Sequence, residues 1–259
     1  MISNKFAKEY HNLITDNTSG SRELLIKLYK FLRNNHHQID SDIIAALQEN
    51  FSEFQSISTF LTDFRRAFNN NDSEQFLNNY VADISIYSSI LEKMKPHIES
   101  CNTFITISNS KTILEVLILI SKSNKRLKVI VSEGRPNNEG TLLAEKLTEI
   151  NISTSLITEA QIYNFVQQSD CALIGADKIL ANGNVINKVG SNLLALACKE
   201  LNKPFLVLAD QSKFSADNKF LQKEKKREEI FQSVNKKIKV HNYYFEEIKK
   251  ELITKIIID

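Results

Sequence analysis

Glycine is the residue this sequence most conspicuously lacks. A soluble chain of 259 residues would ordinarily carry about 18 of them, and this one has six. Cysteine is scarce too. Cys101, Cys171 and Cys198 are odd in number and widely spaced, which argues against a disulfide framework or a CxxC metal site and suits a reducing cytoplasm. No charge of one sign dominates: 33 basic against 31 acidic residues leave a formal +2. That balance offers no electrostatic case for direct nucleic-acid binding, and the densest charge run, KEKKREE at 223–229, nearly cancels itself. No apolar run approaches the roughly 20 residues that span a bilayer. The opening MISNKFAKEYHN has no apolar core of the kind a signal peptide needs. A soluble, cytoplasmic protein without a membrane partner is expected.

What is present divides the chain in two. In the first hundred residues apolar side chains recur at helical spacing. Phe6, Tyr10, Leu13 and Ile14 form one stripe; Leu24, Leu25, Leu28, Phe31 and Leu32 form a second; Phe54, Phe60, Leu61, Phe64 and Phe68 form a third. A longer helix is expected from Leu77 through Tyr80, Val81, Ile84, Tyr87 and Leu91 to Met94, stopped by Pro96. Residues 1–97 therefore read as a helical domain.

From residue 103 the pattern changes. Short apolar runs, TFITI (103–107), LKVIVS (127–132), ISTSLI (152–157), CALIG (171–175) and PFLVLA (204–209), alternate with helical patterns near 110–122, 139–149, 158–167 and 190–202. Alternation of this kind predicts βαβ units and a parallel sheet with helices on both faces over residues 98–259. The fold class is α/β. Ligands of such sheets bind beyond the carboxyl ends of the strands, so the residues just after each strand are the candidates for chemistry.

The few glycines lie there. Gly134, Gly140, Gly175, Gly183 and Gly190 follow predicted strands or open predicted helices in the second half, and Gly20 opens a helix in the first. In IGADKILANGNVINKVGS (174–191), Asp177 sits just past a strand and can serve as general acid or base. Asn187 and Lys188 follow a turn at Asn182–Gly183, and Gly190 and Ser191 begin a helix whose free N–H groups suit an anion. A strand–turn–helix connection with a solvated Asp and a surface Lys is the plainer alternative. In SEGRPNNEG (132–140), Arg135 either grips a phosphate or pairs with Glu133 or Glu139. Ser19, Gly20 and Ser21 in TSGS either cap a helix or bind a second anion. Lys213, after the fifth strand, is a phosphate candidate or a surface lysine.

Three long motifs carry a resemblance. S-E-G-R-P-x-x-x-G, G-A-D-x-I-x-x-N-G-x-V-x-N-K-x-G-S and K-P-F-x-V-x-A-x-x-x-K-F resemble one superfamily. It holds the alpha, beta and delta regulatory subunits of translation initiation factor 2B. It also holds the aldose-1-phosphate isomerases that act on methylthioribose 1-phosphate and ribose 1,5-bisphosphate. D-N-T-S-G-S-R-E-L resembles the helical-domain motif of that family, and the closing NYYFEEIKKELITKIIID its last strand and helix. The resemblance implies a helical domain followed by a Rossmann-like, CoA-transferase-like domain through which the chain dimerises. It implies that Asp177 is the acid/base, that Asn187 and Lys188 contact the sugar phosphate, and that Arg135 and Gly20 lie at the phosphate ends of the ligand.

One position departs from the isomerases. Their catalytic cysteine lies in a turn after the first strand of this domain, where ITISNSK places Ser108. A hydroxyl is far less acidic than a thiol of pKa about 8.5. Three functions follow from the resemblance. The chain binds a phosphorylated sugar or nucleoside monophosphate; or it isomerises an aldose 1-phosphate to the ketose with Asp177 and Ser108; or it serves as a subunit of an initiation-factor-2B-like assembly. No metal and no cofactor are expected, and a homodimer is.

Overall fold

The apolar stripes of the first half fold as helices because each can bury one face against the others. The structure, a computed structural model, describes residues 4–80, 85–232 and 237–259. Its contacts divide between Ser85 and Ile86 into two compact units. The first contains α1 (Asn4–Ile14), α2 (Ser21–Asn34), α3 (Ser41–Asn50), α4 (Gln55–Asn69) and α5 (Ser73–Asn79). Leu24, Leu28, Leu32, Ile44, Leu47, Ile57, Leu61 and Phe64 are almost wholly excluded from water, each such burial contributing about 1.5–3 kcal/mol. Phe60 lies edge-on to Tyr80, with ring centroids 4.9 Å apart. The periodicity did not single out α3, whose signal is a cap: the Asp40 carboxylate accepts from the Ile43 N–H at 2.8 Å.

The long helix expected from Leu77 to Met94 is not continuous. α5 ends at Asn79, and α6 (Ile86–Ile98) begins the second unit; Val81 and Ile84 lie outside the described residues. Pro96 does not stop α6. It sits in the last turn, where the helix is near its end and runs on to Ile98. α6 buries Ile86, Tyr87, Ile90 and Met94 against the second unit's apolar layer.

That unit is built on β1 (Thr103–Ile107), β2 (Lys128–Ser132), β3 (Ser153–Ile157) and β4 (Cys171–Ile174). Between them run α7 (Lys111–Ser123), α8 (Glu139–Glu149) and α9 (Ile162–Gln168). Further along come the short β5 (Lys178–Ile179), β6 (Val185–Lys188), α10 (Ser191–Glu200), β7 (Phe205–Ala209), β8 (Phe245–Ile248) and β9 (Lys255–Ile258). The main sheet has order β3-β2-β1-β4-β7-β9, and all its pairings are parallel. Strand alternation sends Phe104, Val129, Val131, Leu173 and Leu206 to the face covered by α6, α7 and α8. Ile105, Ile107, Ile130, Ile174 and Val207 go to the face covered by α9 and α10. Chain direction reverses its order across the sheet between β1 and β4, the point where doubly wound folds open a crevice.

Two expectations change. Asn187 and Lys188 are not loop residues before a helix. They end strand β6, in a second, antiparallel sheet of order β5-β6-β8. The closing segment is not a strand and a helix but two strands, β8 and β9, joined by a 3-10 turn at Lys250–Leu252. Its Ile256–Ile258 run finds an open edge beside β7, and β-branched residues pack better there than in a helix. The three cysteines are free, and burial pushes the Cys198 thiol up to about 12.

Gly140 marks the tightest approach. A Cβ there would lie 1.8 Å from the Ser132 carbonyl oxygen, so α8 starts directly against the end of β2. Gly140→Ala is expected to cost about 3 kcal/mol or more, because backbone rather than a side-chain tip would have to move. Urea unfolding checks this: a midpoint within experimental scatter of the wild type would show that the approach is not as close as described.

Candidate functional site

At the carboxyl ends of β1 and β4 the second unit gathers charged and hydroxylated side chains that water barely reaches. Ser108 follows β1 with φ +68°, a left-handed conformation uncommon for a residue with a Cβ. Its hydroxyl donates to Glu139 Oε1 at 3.2 Å. Glu139 is the first residue of α8, and its Oε1 also lies 2.7 Å from Lys188 Nζ. Both partners of that pair are buried, Glu139 at 5% and Lys188 at 3% exposure. Glu139 Oε2, equally buried, has no hydrogen-bond partner. Burial pushes the Glu139 carboxyl above its ordinary value, with Lys188 and the Ser108 hydroxyl pulling the other way.

Lys188 is held from its other side as well. Its ammonium stands 5.0 Å from the centre of the Tyr244 ring, and Lys225 approaches the same ring at 5.0 Å. The Tyr244 hydroxyl donates to Glu229 Oε2 at 2.7 Å. Asn187, on the same strand, donates to Ser191 Oγ at 3.0 Å, tying β6 to the first residue of α10. Gly190 caps that helix with φ +99°, and a Cβ there would stand 2.7 Å from Ile107 Cδ1. Asp177 is buried, and its N–H donates to the Ile186 carbonyl at 2.9 Å. The end of β4 is thereby anchored to the β5–β6 hairpin.

Ser108, Glu139 and Lys188 thus form one contact chain, while Asn187, Gly190 and Ser191 form the adjoining helix start. Lys213 is not a surface lysine: it is buried in the 3-10 turn after β7. Arg135 is exposed and pairs with neither Glu133 nor Glu139, because Glu139 turns inward to Lys188. Ser19, Gly20 and Ser21 belong to the first unit and are described there alone. Gly20 is the residue before α2, with no side-chain cap bond. Asp16 takes the N–H groups of Thr18 and Ser19, and Lys27 bridges Asp16 Oδ2 at 2.6 Å and Ser19 Oγ at 2.8 Å. Burial raises Asp16, but these bonds outweigh it and leave its carboxyl below the ordinary value.

Two buried charges stand at unspecified positions of the candidate motifs. The signal for Glu139 is an acidic residue in the first turn of a helix whose next residue, Gly140, has no room for a side chain. Lys178, in G-A-D-K, is buried and reaches Asp217 at 3.1 Å. Among the described residues no group of three His, Cys, Asp or Glu is placed to hold a metal ion. No helix there is long and apolar enough to cross a membrane. A groove of about 310 Å³, lined in part by Cys198, Lys203, Pro204 and Ile253, lies at the amino ends of β7 and β9, the far end of the sheet from these charges.

The sequence profile of the initiation factor 2 subunit family matches residues 14–259. The chain belongs to that family. Among its relatives, a protein of Archaeoglobus fulgidus named ribose 1,5-bisphosphate isomerase is 40% identical over 118 residues. That match covers 46% of this chain and 38% of the relative. A Pyrococcus horikoshii protein named putative translation initiation factor eIF-2B subunit 2-like is 42% identical over 117 residues, 45% of this chain and 42% of its own length. The matched segments therefore span about two fifths of these family members. The crystal structure of the Pyrococcus horikoshii OT3 translation initiation factor eIF-2B superposes with a TM-score of 0.76 at 24% identity. It covers 98% of this chain and 95% of that one, and speaks for the shared family fold.

Removing one member of a buried ion pair leaves the other uncompensated, at a cost of about 3–5 kcal/mol. Lys188→Met is therefore expected to destabilise the protein by about that much at pH 8, and by less at pH 5. The raised folded-state value of Glu139 makes its contribution complete below the ordinary carboxylate range and lost as pH rises through the folded value. Lys188 offsets that loss in the wild type, and the variant lacks the offset. Urea midpoints at the two pH values check the prediction, and an equal deficit at both would count against it.

Proposed function

We propose that this chain binds a phosphorylated sugar or a nucleoside monophosphate beyond the carboxyl ends of β1 and β4. The observation that carries the proposal is Lys188: a lysine at 3% exposure, beside a helix opened by a left-handed glycine. Two side chains are proposed to hold the phosphate, the Lys188 ammonium and the exposed guanidinium of Arg135; at the start of α10 the Asn192 N–H already donates to Glu246 Oε1 at 2.8 Å. Asn187 and Ser191 orient the sugar, and Lys213 contributes charge from the turn after β7. The names of the relatives, isomerases of a sugar bisphosphate among them, support a phosphosugar as the ligand class.

Turnover is the second reading, favoured by Asp177, a buried carboxylate at a strand end. An aldose 1-phosphate cannot open to an aldehyde while C1 carries phosphate. Isomerisation therefore needs a positioned acid/base at the ring oxygen and C2, in a site closed to water. Asp177 fills that role in this reading, with Ser108 as its hydroxyl partner. Assembly is part of the proposal too. Leu193 and Leu196 of α10 and Tyr163 of α9 are 45%, 54% and 45% exposed, an apolar surface suited to a second copy in a homodimer or to a subunit of an initiation-factor-like complex.

A phosphorus NMR time course separates binding from turnover. The protein is mixed in turn with ribose 1,5-bisphosphate, methylthioribose 1-phosphate and a nucleoside monophosphate. Line broadening without a new species is the expected outcome; a growing ketose-phosphate resonance would establish an isomerase, and unperturbed lines throughout would refute the binding proposal. Arg135→Ala is expected to weaken phosphosugar binding about tenfold with an unchanged melting temperature, since Arg135 is exposed. Asp177→Asn is expected to leave calorimetric affinity within about threefold of the wild type and, if the wild type turns over, to abolish the reaction.

A further inference from the structure

Glu139 is the least satisfied charged group of the site. One of its oxygens takes both the Lys188 ammonium at 2.7 Å and the Ser108 hydroxyl at 3.2 Å. The other, Oε2, is shut away beside the Gly134 turn with no hydrogen-bond partner. A carboxylate buried with a bare oxygen depends on its counter-ion, because ionisation in such a place is costly unless paired. The same counter-ion, Lys188, is the cation that an incoming phosphate would use. Two anions competing for one buried ammonium is an unfavourable arrangement, and the cheapest relief is for one of them to become neutral.

We infer that Glu139 is the proton store of this site: an anion that binds at Lys188 takes over the ammonium, and the released carboxylate takes up a proton on Oε2. The inference rests on the proposed anion site at Lys188. The proton comes from solvent, the N–H···O contact to Lys188 is exchanged for one to the anion, and Oε1 remains the acceptor for Ser108. Asp177 and Lys213 are also buried charged side chains beyond the carboxyl ends of the main-sheet strands; among the described residues Glu139 is the charged one with a buried oxygen lacking a hydrogen-bond partner. Lys188 reaches Glu139 from β6 and Ser108 from the end of β1. Glu159, in the 3-10 turn after β3, is engaged by the Gly134 N–H at 2.8 Å. Glu133 and Arg135 belong to Glu139's own loop, and Arg135 is turned to solvent. Once loaded, Glu139 is a neutral carboxyl beside Ser108, an acid kept inside the site until the anion leaves.

The sign follows from the linkage. The carboxyl is harder to ionise with the anion bound than without it, so affinity is highest at low pH. It falls as pH rises through the unliganded carboxyl's own value, by up to about tenfold per pH unit for one linked proton. Inorganic sulfate is the probe, because it does not itself titrate there, and ribose 5-phosphate is the second ligand. Calorimetry at pH 6, 7 and 8, in two buffers of different ionisation enthalpy, reads both the affinity and the protons taken up.

For the wild type, uptake approaching one proton is expected. Glu139→Gln keeps an oxygen toward Lys188 and Ser108 but cannot ionise. It is expected to bind sulfate with no proton uptake and no pH slope, and more tightly than the wild type at pH 8. Wild-type binding without proton uptake, or a variant that keeps the wild-type slope, overturns the inference and leaves the binding proposal standing. A wild type that binds neither sulfate nor ribose 5-phosphate overturns both. Carbon-13 spectra of glutamate carboxyls in the wild-type protein test the same point without a variant. One resonance should move toward its neutral position on saturation with sulfate, and no movement overturns the inference.

Discussion

A parallel sheet covered on both faces leaves its strand ends as the places where polar chemistry can collect, and this constraint arranges the second unit. Phe104 and Ile105 point to opposite layers, so the middle of the sheet is largely apolar, with Thr106 of β1 a buried polar exception. Polar and charged groups are carried to the ends. The reversal of strand order between β1 and β4 opens a crevice at the carboxyl end, where the chain leaves β1 and β4 in different directions. Ser108, Asp177, Glu139 and Lys188 are drawn from four separate segments, and the sheet is what brings the segments to one end.

Within that crevice the energetics turn on one buried ion pair. Lys188 and Glu139 would each be costly to bury alone, and together they approach a balance that small changes can tip. In the pair the two Glu139 oxygens are used unevenly, Oε1 by both Lys188 and Ser108 and Oε2 by neither. Close backbone approaches support it. α8 begins hard against the Ser132 carbonyl because residue 140 is glycine, and α10 begins against Ile107 because residue 190 is glycine. Glycine is scarce in the chain as a whole yet is kept here, where the backbone path leaves no room for a side chain.

Much of the main sheet was legible in the sequence. Its first five strands and intervening helices fall close to the predicted runs, since buried parallel strands show as short continuous apolar stretches between turn residues. The α/β class and the family resemblance were legible too, through motifs whose glycines, aspartate and lysine must keep their spacing. Less legible were elements whose stabilising partner is distant in sequence. β6 pairs with β8 across some sixty residues, Val185 opposite Ile248 and Lys188 opposite Phe245. No local pattern announces such a pairing. The closing isoleucines fit a helix or a strand equally well until β7 offers an edge.

The sequence by itself determined the alternation of strand and helix, the positions where only glycine fits, and which segments follow the carboxyl ends of strands. These are local properties, written in spacing and in the steric limits of single residues. Only the tertiary structure decided which charges meet. It turned Arg135 out to solvent, drew Lys213 in, and paired Lys188 with Glu139 across forty-nine positions of chain. Ion pairing depends on distance and burial, and both are set by how the sheet and its helices pack rather than by the order of residues along the chain.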